Sequence, residues 1–246
     1  MSFPVLIGAP PRGAPFDRIG YSALLQGTQS DDLIAHWRLN ETSGSTADNA
    51  EGTADRDGTY TGVTLADVDG ILDESKAPLF DGANDFVDIY SASLNTAFNV
   101  AEGTLLGWFR LSTDAAGQNV GVALRADGNN RVTLLLTAAE FLQWIYGAGG
   151  TFENVSRAVA TEELVWIFMA MTWSVAANQM KAYLNGSQFG STQTGLGTWS
   201  GALASDQVNI GVRDNSPSLV QPWEGHICHV AVWTTPLTGA EILALA

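Results

Sequence analysis

From residue 33 onward the chain runs in short stretches of alternating apolar and polar positions, each closed by glycine, proline, asparagine or aspartate. Leu33-Ile-Ala-His-Trp-Arg-Leu39 keeps the two-residue period of a half-buried strand. It then breaks into Asn40-Glu-Thr-Ser-Gly44, which cannot propagate the pattern. Read in the same way, strands are predicted at 33–39, 58–64, 77–81, 85–90, 103–112, 118–125, 131–137, 140–147, 164–174, 179–185, 207–213 and 224–234. Asp127-Gly-Asn-Asn130 and Asn185-Gly186 supply turns, and 195–201 reads as a loop carrying Trp199. Thr238 and Glu241 have capping-box spacing and open a short helix that ends the chain. Many short strands without long helices predict an all-β sandwich.

The first thirty residues lack this pattern. Pro4, Pro10, Pro11 and Pro15 fix φ and remove backbone donors, so residues 1–32 read as an extended arm ahead of a single domain over 33–246. Its apolar side chains, Phe3, Ile7, Phe16, Ile19 and Tyr21, are the candidate docking groups. The segment also lacks the basic start and long apolar run of a secretory leader, and no stretch approaches the roughly 18 apolar residues of a membrane span.

Composition narrows the partners. A formal charge of −15, from 11 basic and 26 acidic residues, repels phosphate backbones and anionic lipid, so neither nucleic acid nor membrane insertion is expected. With one cysteine, Cys228, the chain has no internal disulfide and no thiolate metal cluster. Twenty-six glycines, 8 Trp and 10 Phe suit short strands packed through wide aromatic contacts.

Five blocks recur in the order of a known family. They are Ile34-Ala-His-Trp-Arg-Leu-Asn-Glu-Thr-Ser-Gly44, Phe80-Asp-Gly-Ala-Asn-Asp-Phe-Val-Asp88, Gly103-Thr-Leu-Leu-Gly-Trp-Phe-Arg110, Trp166 to Trp173 running on to Met180-Lys-Ala-Tyr-Leu-Asn-Gly186, and Val208-Asn-Ile-Gly211 with Trp223 to Ile242. Over residues 33–246 the chain resembles the laminin-G-like, or concanavalin A-like lectin-glucanase, jelly roll, of the kind found in phage structural proteins. The resemblance implies a two-sheet antiparallel sandwich about 10 Å thick. It does not imply one function, since such sandwiches serve as lectins, adhesion domains, glycosidases and virion proteins. Where the family's last strand commonly carries Asp-Glu, this chain has Cys228-His229.

Candidate chemistry is sparse. Glycosidases need two carboxylates about 5–9 Å apart on one face, whereas the close acidic pairs here, Asp31-Asp32, Asp73-Glu74 and Glu162-Glu163, are sequence neighbours that point apart in an extended chain. His226 and Cys228 share a strand face while His229 points away, so the three converge only across a bulge, and structural histidines are the better reading. Asp81, Asn84 and Asp85 lie on one turn and offer oxygen ligands for calcium, weighed evenly against a solvated Asp-Gly turn. Sugar binding calls for aromatic platforms beside hydrogen-bonding groups. The candidates are Trp144 and Tyr146 on one face of a strand, with Gln143 on the other, and Trp199 and Trp223 in or near loops.

The expectation drawn from these residues is a non-catalytic virion structural or accessory protein, capsid-decorating or tail-associated. It displays its sandwich at the virion surface and docks through its arm. Its expected partners are other virion proteins, further copies of itself and host-surface glycans. The alternatives are a carbohydrate-binding or adhesion module at a bacterial surface or outside the cell, and then a glycoside hydrolase.

Overall fold

The computed structural model describes residues 20–71, 76–112, 117–137, 141–158, 164–214 and 218–246. Strands are numbered in chain order. One eight-stranded antiparallel sheet runs β14 (Ser187–Gln193), β13 (Gln179–Leu184), β12 (Ile167–Ser174), β7 (Glu102–Leu111), β16 (Glu224–Trp233), β5 (Lys76–Asp81) and β4 (Thr64–Asp69), with β1 (Leu33–Trp37) also on β16. The second, also eight-stranded and antiparallel, runs β11 (Thr151–Ala158), β10 (Phe141–Ala148), β9 (Arg131–Leu136), β8 (Asn119–Arg125), β15 (Val208–Ile210), β6 (Phe86–Asp88), β3 (Gly58–Thr61) and β2 (Thr46–Ala47). The all-β sandwich expected from the alternating pattern is the fold observed.

The inward residues of both sheets form one core that includes Trp37, Phe80, Phe109, Trp144, Tyr146, Trp173 and Trp223. Strand β16 organises the first sheet. Its start pairs with β5 and its end with β1 along one edge, while β7 runs along the other. The hand-over needs a bulge, and the register to β7 shifts between Cys228 and Ala231, with His229 in the left-handed region at φ 50°.

A second apolar cluster covers the outer face of the first sheet. Helices α1 (Tyr21–Gly27) and α3 (Gly239–Ala244) bring Tyr21, Leu25 and Ile242 onto Leu106, Phe168, Ala170, Ala231 and Trp233. The centre of the first sheet is therefore buried on both sides, and all eight residues of β12 are buried. This accounts for the nearly continuous apolar run Ile167-Phe-Met-Ala-Met in its sequence. Helix α3 has the expected capping box: the Thr238 hydroxyl accepts from the Glu241 amide at 3.3 Å, and the Glu241 carboxylate accepts from the Thr238 amide at 2.7 Å.

Three features depart from expectation. The arm was drawn to residue 32, but the domain begins at least as early as residue 20. Tyr21 is 4% exposed, its hydroxyl donates to the Leu245 carbonyl at 2.8 Å, and the Trp108 indole donates to that hydroxyl at 2.9 Å. Tyr21 is thus a core residue of this domain and not a docking group, while Phe3, Ile7, Phe16 and Ile19 lie outside the described residues. The single strand expected at 58–64 is two, β3 and β4, which belong to different sheets; Gly62, at φ +76°, turns the chain between them. Strands β11 and β14 were not foreseen because they are sheet edges with mostly exposed, polar side chains, and a polar edge carries little alternation. No helix among the described residues is long and apolar enough to cross a membrane.

A buried histidine pair sits behind α1. His36 Nε2 lies 3.1 Å from His229 Nδ1, and the Tyr21 ring packs edge-on against His229. Burial, then His229, then Arg38 hold the His36 pKa well below 6.5. The unfolded chain therefore takes up a proton near pH 6.5 that the folded chain refuses, so stability is complete above that pH and falls as pH drops toward the folded pKa. Urea denaturation between pH 7 and pH 5 is expected to show a loss of up to about 1.4 kcal/mol per pH unit from this group, with a shallower slope in the H36Q variant. A second prediction concerns Gly225 at φ +133°, where an added Cβ would overlap the Arg110 carbonyl oxygen and fall 2.9 Å from the Ser112 nitrogen. Gly225→Ala is expected to cost about 2 kcal/mol or more in the same measurement.

Candidate functional site

Helices pack on the outer side of the first sheet, and the outer face of the second carries a pocket of its own. Side chains alternate along β9 and β10, so the residues between the core positions project outward: Arg131, Thr133 and Leu135 from β9, and Gln143 and Ile145 from β10. They line a pocket of about 130 Å³ together with Gln118, Arg213 and Gln221. Leu135 and Ile145, joined by Val120 and Ala123, make its apolar floor. Arginine, threonine and glutamine form the rim.

Neighbouring groups hold this rim in place. Gln143 donates to Ser156 Oγ at 3.1 Å and to Asn154 Oδ1 at 3.4 Å, both on β11. The Arg131 guanidinium lies 4.7 Å from the centre of the Phe152 ring, itself 39% exposed on β11. Gly147 leaves room for that ring, since a Cβ there would fall 2.6 Å from it. Arg125, on β8 opposite Arg131, is buried and ion-paired with Asp214. Arg213 Nε lies 3.7 Å from the same carboxylate. Burial, and then Arg125 and Arg213, push the Arg131 pKa below its ordinary range. Among the described residues no carboxylate lines this pocket.

A larger pocket, about 240 Å³, lies outside the first sheet between β12, β13 and the start of α3. Three of its polar residues already have internal partners: Ser174 Oγ accepts from the Ala177 amide, Thr238 serves the helix cap, and Tyr183 bonds Thr172. Lys181 is its one charged side chain. Arg131, with no ion-pair partner among the described residues, and Arg213, which meets Asp214 at 3.7 Å, stand beside an apolar floor and give the smaller pocket more binding chemistry.

The residues singled out in the sequence fall elsewhere. Trp144 is fully buried and stacks on Phe189 with ring centres 6.0 Å apart. Tyr146 is equally buried, with its hydroxyl donating to the Val100 carbonyl, and Trp223 packs on Phe109 at 5.4 Å. None of the three offers a face to solvent, so none serves as a sugar platform, and on β10 it is Gln143 that points away from the core. Trp199 is partly buried against Phe98 in the 195–201 loop, away from the pocket. Asp81, Asn84 and Asp85 do form one turn. However, Asp81 Oδ1 accepts from the amides of Ala83 and Asn84, and the buried Asp85 accepts from the Asp81 amide. Among the described residues no three His, Cys, Asp or Glu side chains gather as a metal site. These carboxylates fit a turn stapled by its own amides. His226 binds Asp67 at 2.8 Å and His229 meets His36, so the bulge at β16 separates the 226–229 group instead of gathering it. Asp73-Glu74 and Glu162-Glu163 lie outside the described residues.

The arginines were missed, although a signal for two of them is present. Arg125 and Arg131 bracket residues 126–130, the loop that contains the Asp127-Gly-Asn-Asn130 turn, and are cross-strand partners on one face.

Two antiparallel sheets, one armoured by helices and the other open, define a lectin-like sandwich. The chain belongs to the concanavalin A-like lectin/glucanases superfamily, whose profile matches residues 81–243. No curated protein sequence matches it. Among solved structures, it is similar to domain 4 of an extracellular arabinanase from Geobacillus stearothermophilus, in complex with arabinotriose, at TM-score 0.59 and 17% identity over 87% of this chain and 98% of that one. The botulinum neurotoxin serotype D binding domain matches at TM-score 0.58 and 13% identity, over 87% of this chain and 51% of that one. Trypanosoma rangeli sialidase in complex with sialic acid matches at 0.62 and 12%, over 87% and 32%. The chain thus spans about half of the neurotoxin domain and about a third of the sialidase. At these identities the likeness is one of fold.

The two kinds of aromatic are separable by experiment. Trp144→Ala is expected to cost about 3–5 kcal/mol in chemical denaturation, as a large core truncation does. Phe152→Ala is expected to change stability by only about 0.5 kcal/mol, as a surface substitution does.

Proposed function

We propose that this domain is a non-catalytic glycan-binding module whose ligand lies on the outer face of the second sheet, over Leu135 and Ile145 and within reach of Gln143, Arg131 and Phe152. The observation that carries the reading is the asymmetry of the sandwich. Helices cover the first sheet, while the second offers an apolar floor ringed by amide, hydroxyl and guanidinium groups. A sugar has that same mixture of apolar ring faces and directed hydroxyls, and sites of this kind place few polar groups around an apolar base. The complex of the similar arabinanase domain with arabinotriose supports this choice of ligand class. The pocket's lack of a carboxylate among the described residues supports binding without hydrolysis, which takes a pair of them.

Display on a virion through residues 1–19 is the second reading, and one observation favours it. The described residues begin at Gly20, just before α1, and α1 lies on the outer face of the first sheet. An attachment made there leaves the opposite, pocket-bearing face turned outward. Removing residues 1–19 is expected to leave stability and glycan binding intact while abolishing incorporation into particles; unchanged incorporation would refute the docking role.

For the glycan reading, titration calorimetry against a panel of plant and bacterial oligosaccharides is expected to find a ligand. Gln143→Ala and Phe152→Ala should each weaken it by about tenfold, or about 1.4 kcal/mol, with unchanged melting temperature. Equal binding by both variants would place the ligand elsewhere.

A further inference from the structure

The chain carries 11 basic residues against 26 acidic ones, yet three of the 11, Arg125, Arg131 and Arg213, stand together on the outer face of the second sheet. Their roles differ. Arg125 is buried and paired with Asp214, so its charge is met within the protein. Arg213 shares that carboxylate at the longer separation of 3.7 Å. Arg131 has no ion-pair partner among the described residues, and its Nε has no hydrogen-bond partner although it is buried. Thr133 Oγ1, next outward on the same strand, is likewise buried and without a hydrogen bond.

Gathering like charges in a partly desolvated pocket is costly unless something of opposite sign completes it. Among the described residues Asp214 is the one carboxylate ion-paired with this group, and it meets Arg125 and Arg213 but not Arg131, so the three arginines keep a net positive charge. The guanidinium of Arg131 is also fixed in direction, because it lies against the Phe152 ring and is not free to sweep through solvent. A planar fork held in one orientation suits two oxygens of a single planar anion. Arg213, on the rim of the same pocket, adds a second positive group.

We infer that the pocket takes an acidic sugar, with the sugar carboxylate held by Arg131 and supported by Arg213 and Thr133, and the sugar ring over Leu135 and Ile145. This rests on the glycan-binding reading and deepens it by naming the ligand class as carboxylate-bearing glycans. Gln118, Gln143 and Gln221 remain for the hydroxyls. Phe152 has two parts: it orients Arg131 and offers its exposed edge to the sugar. Arg125 is a positioning residue, since its charge is bound by Asp214 and its effect reaches the ligand through the neighbouring arginines.

The test uses the full chain and calorimetry with sodium oligogalacturonate, the same oligosaccharide after carboxyl reduction, oligomannuronate, and sulfated and unsulfated dextran. The carboxylated sugars are expected to bind at least about tenfold more tightly than the carboxyl-reduced form. Arg131→Gln should erase that difference at an unchanged melting temperature. Arg131→Lys should restore part of it, since lysine keeps the charge and loses the fork. Arg213→Gln, which leaves Arg131 in place, should lower affinity for the acidic sugars alone. Equal binding of the carboxylated and reduced oligosaccharides would overturn the acidic-sugar assignment while leaving glycan binding intact. Preference for sulfated dextran over the uronates would overturn the carboxylate in favour of a sulfate ester. Failure of every sugar to bind would overturn the glycan reading itself.

Discussion

The structure depends first on covering the outer face of the first sheet. Strands β7, β12 and β16 present Leu106, Phe168, Ala170, Ala231 and Trp233 on the side away from the main core, a surface too apolar to leave in water. Two short helices cover it, neither of which is long enough to be stable alone. A chain of bonds holds them, with the Trp108 indole donating to the Tyr21 hydroxyl and that hydroxyl donating to the Leu245 carbonyl. Trp233 and Gln29 extend it, the first donating to the Thr28 carbonyl and the second to Glu241. The two ends of the domain are thereby tied to each other and to the sheet.

That covering decides what the other sheet can do. A sandwich with both outer faces solvated would offer two candidate surfaces, whereas here helices pack on the first sheet and the second carries the pocket between Arg131, Thr133 and Gln143. Its central strands carry a small buried apolar cluster, Val120, Ala123, Leu135 and Ile145, edged by arginine and glutamine. The same separation explains the histidines. His36 and His229 share a hydrogen bond in a dry layer under α1, and His226 is held by Asp67. Each has a structural partner, and none faces the pocket.

Much of the fold is legible in the sequence because strands and turns are local. The Asn185-Gly186 turn is one case: both residues have positive φ, at 47° and 79°, and join β13 to β14. The capping box of α3 is another. Helix α1 is not legible, since its N-cap Gly20 makes no side-chain bond and the helix exists through the burial of Tyr21 and Leu25 on the sheet. The site is half legible. The sequence separates the two faces of β10, Trp144 and Tyr146 on one and Gln143 on the other. It cannot say which face meets the core, because aromatic rings fill a sandwich interior as readily as they line a sugar platform. In this chain they fill the interior, and the polar face meets solvent.

The central claim is that the ligand binds the open sheet and not the loops or the helix-covered side. Backbone amide chemical shifts followed by NMR through a titration with a bound oligosaccharide test it most directly. The account predicts that the perturbed amides cluster in β8, β9, β10 and β11, centred on Arg131, Thr133, Gln143 and Phe152. Perturbations confined to the 195–201 loop around Trp199, to the Asp81–Asp85 turn, or to α1 and α3 would contradict it.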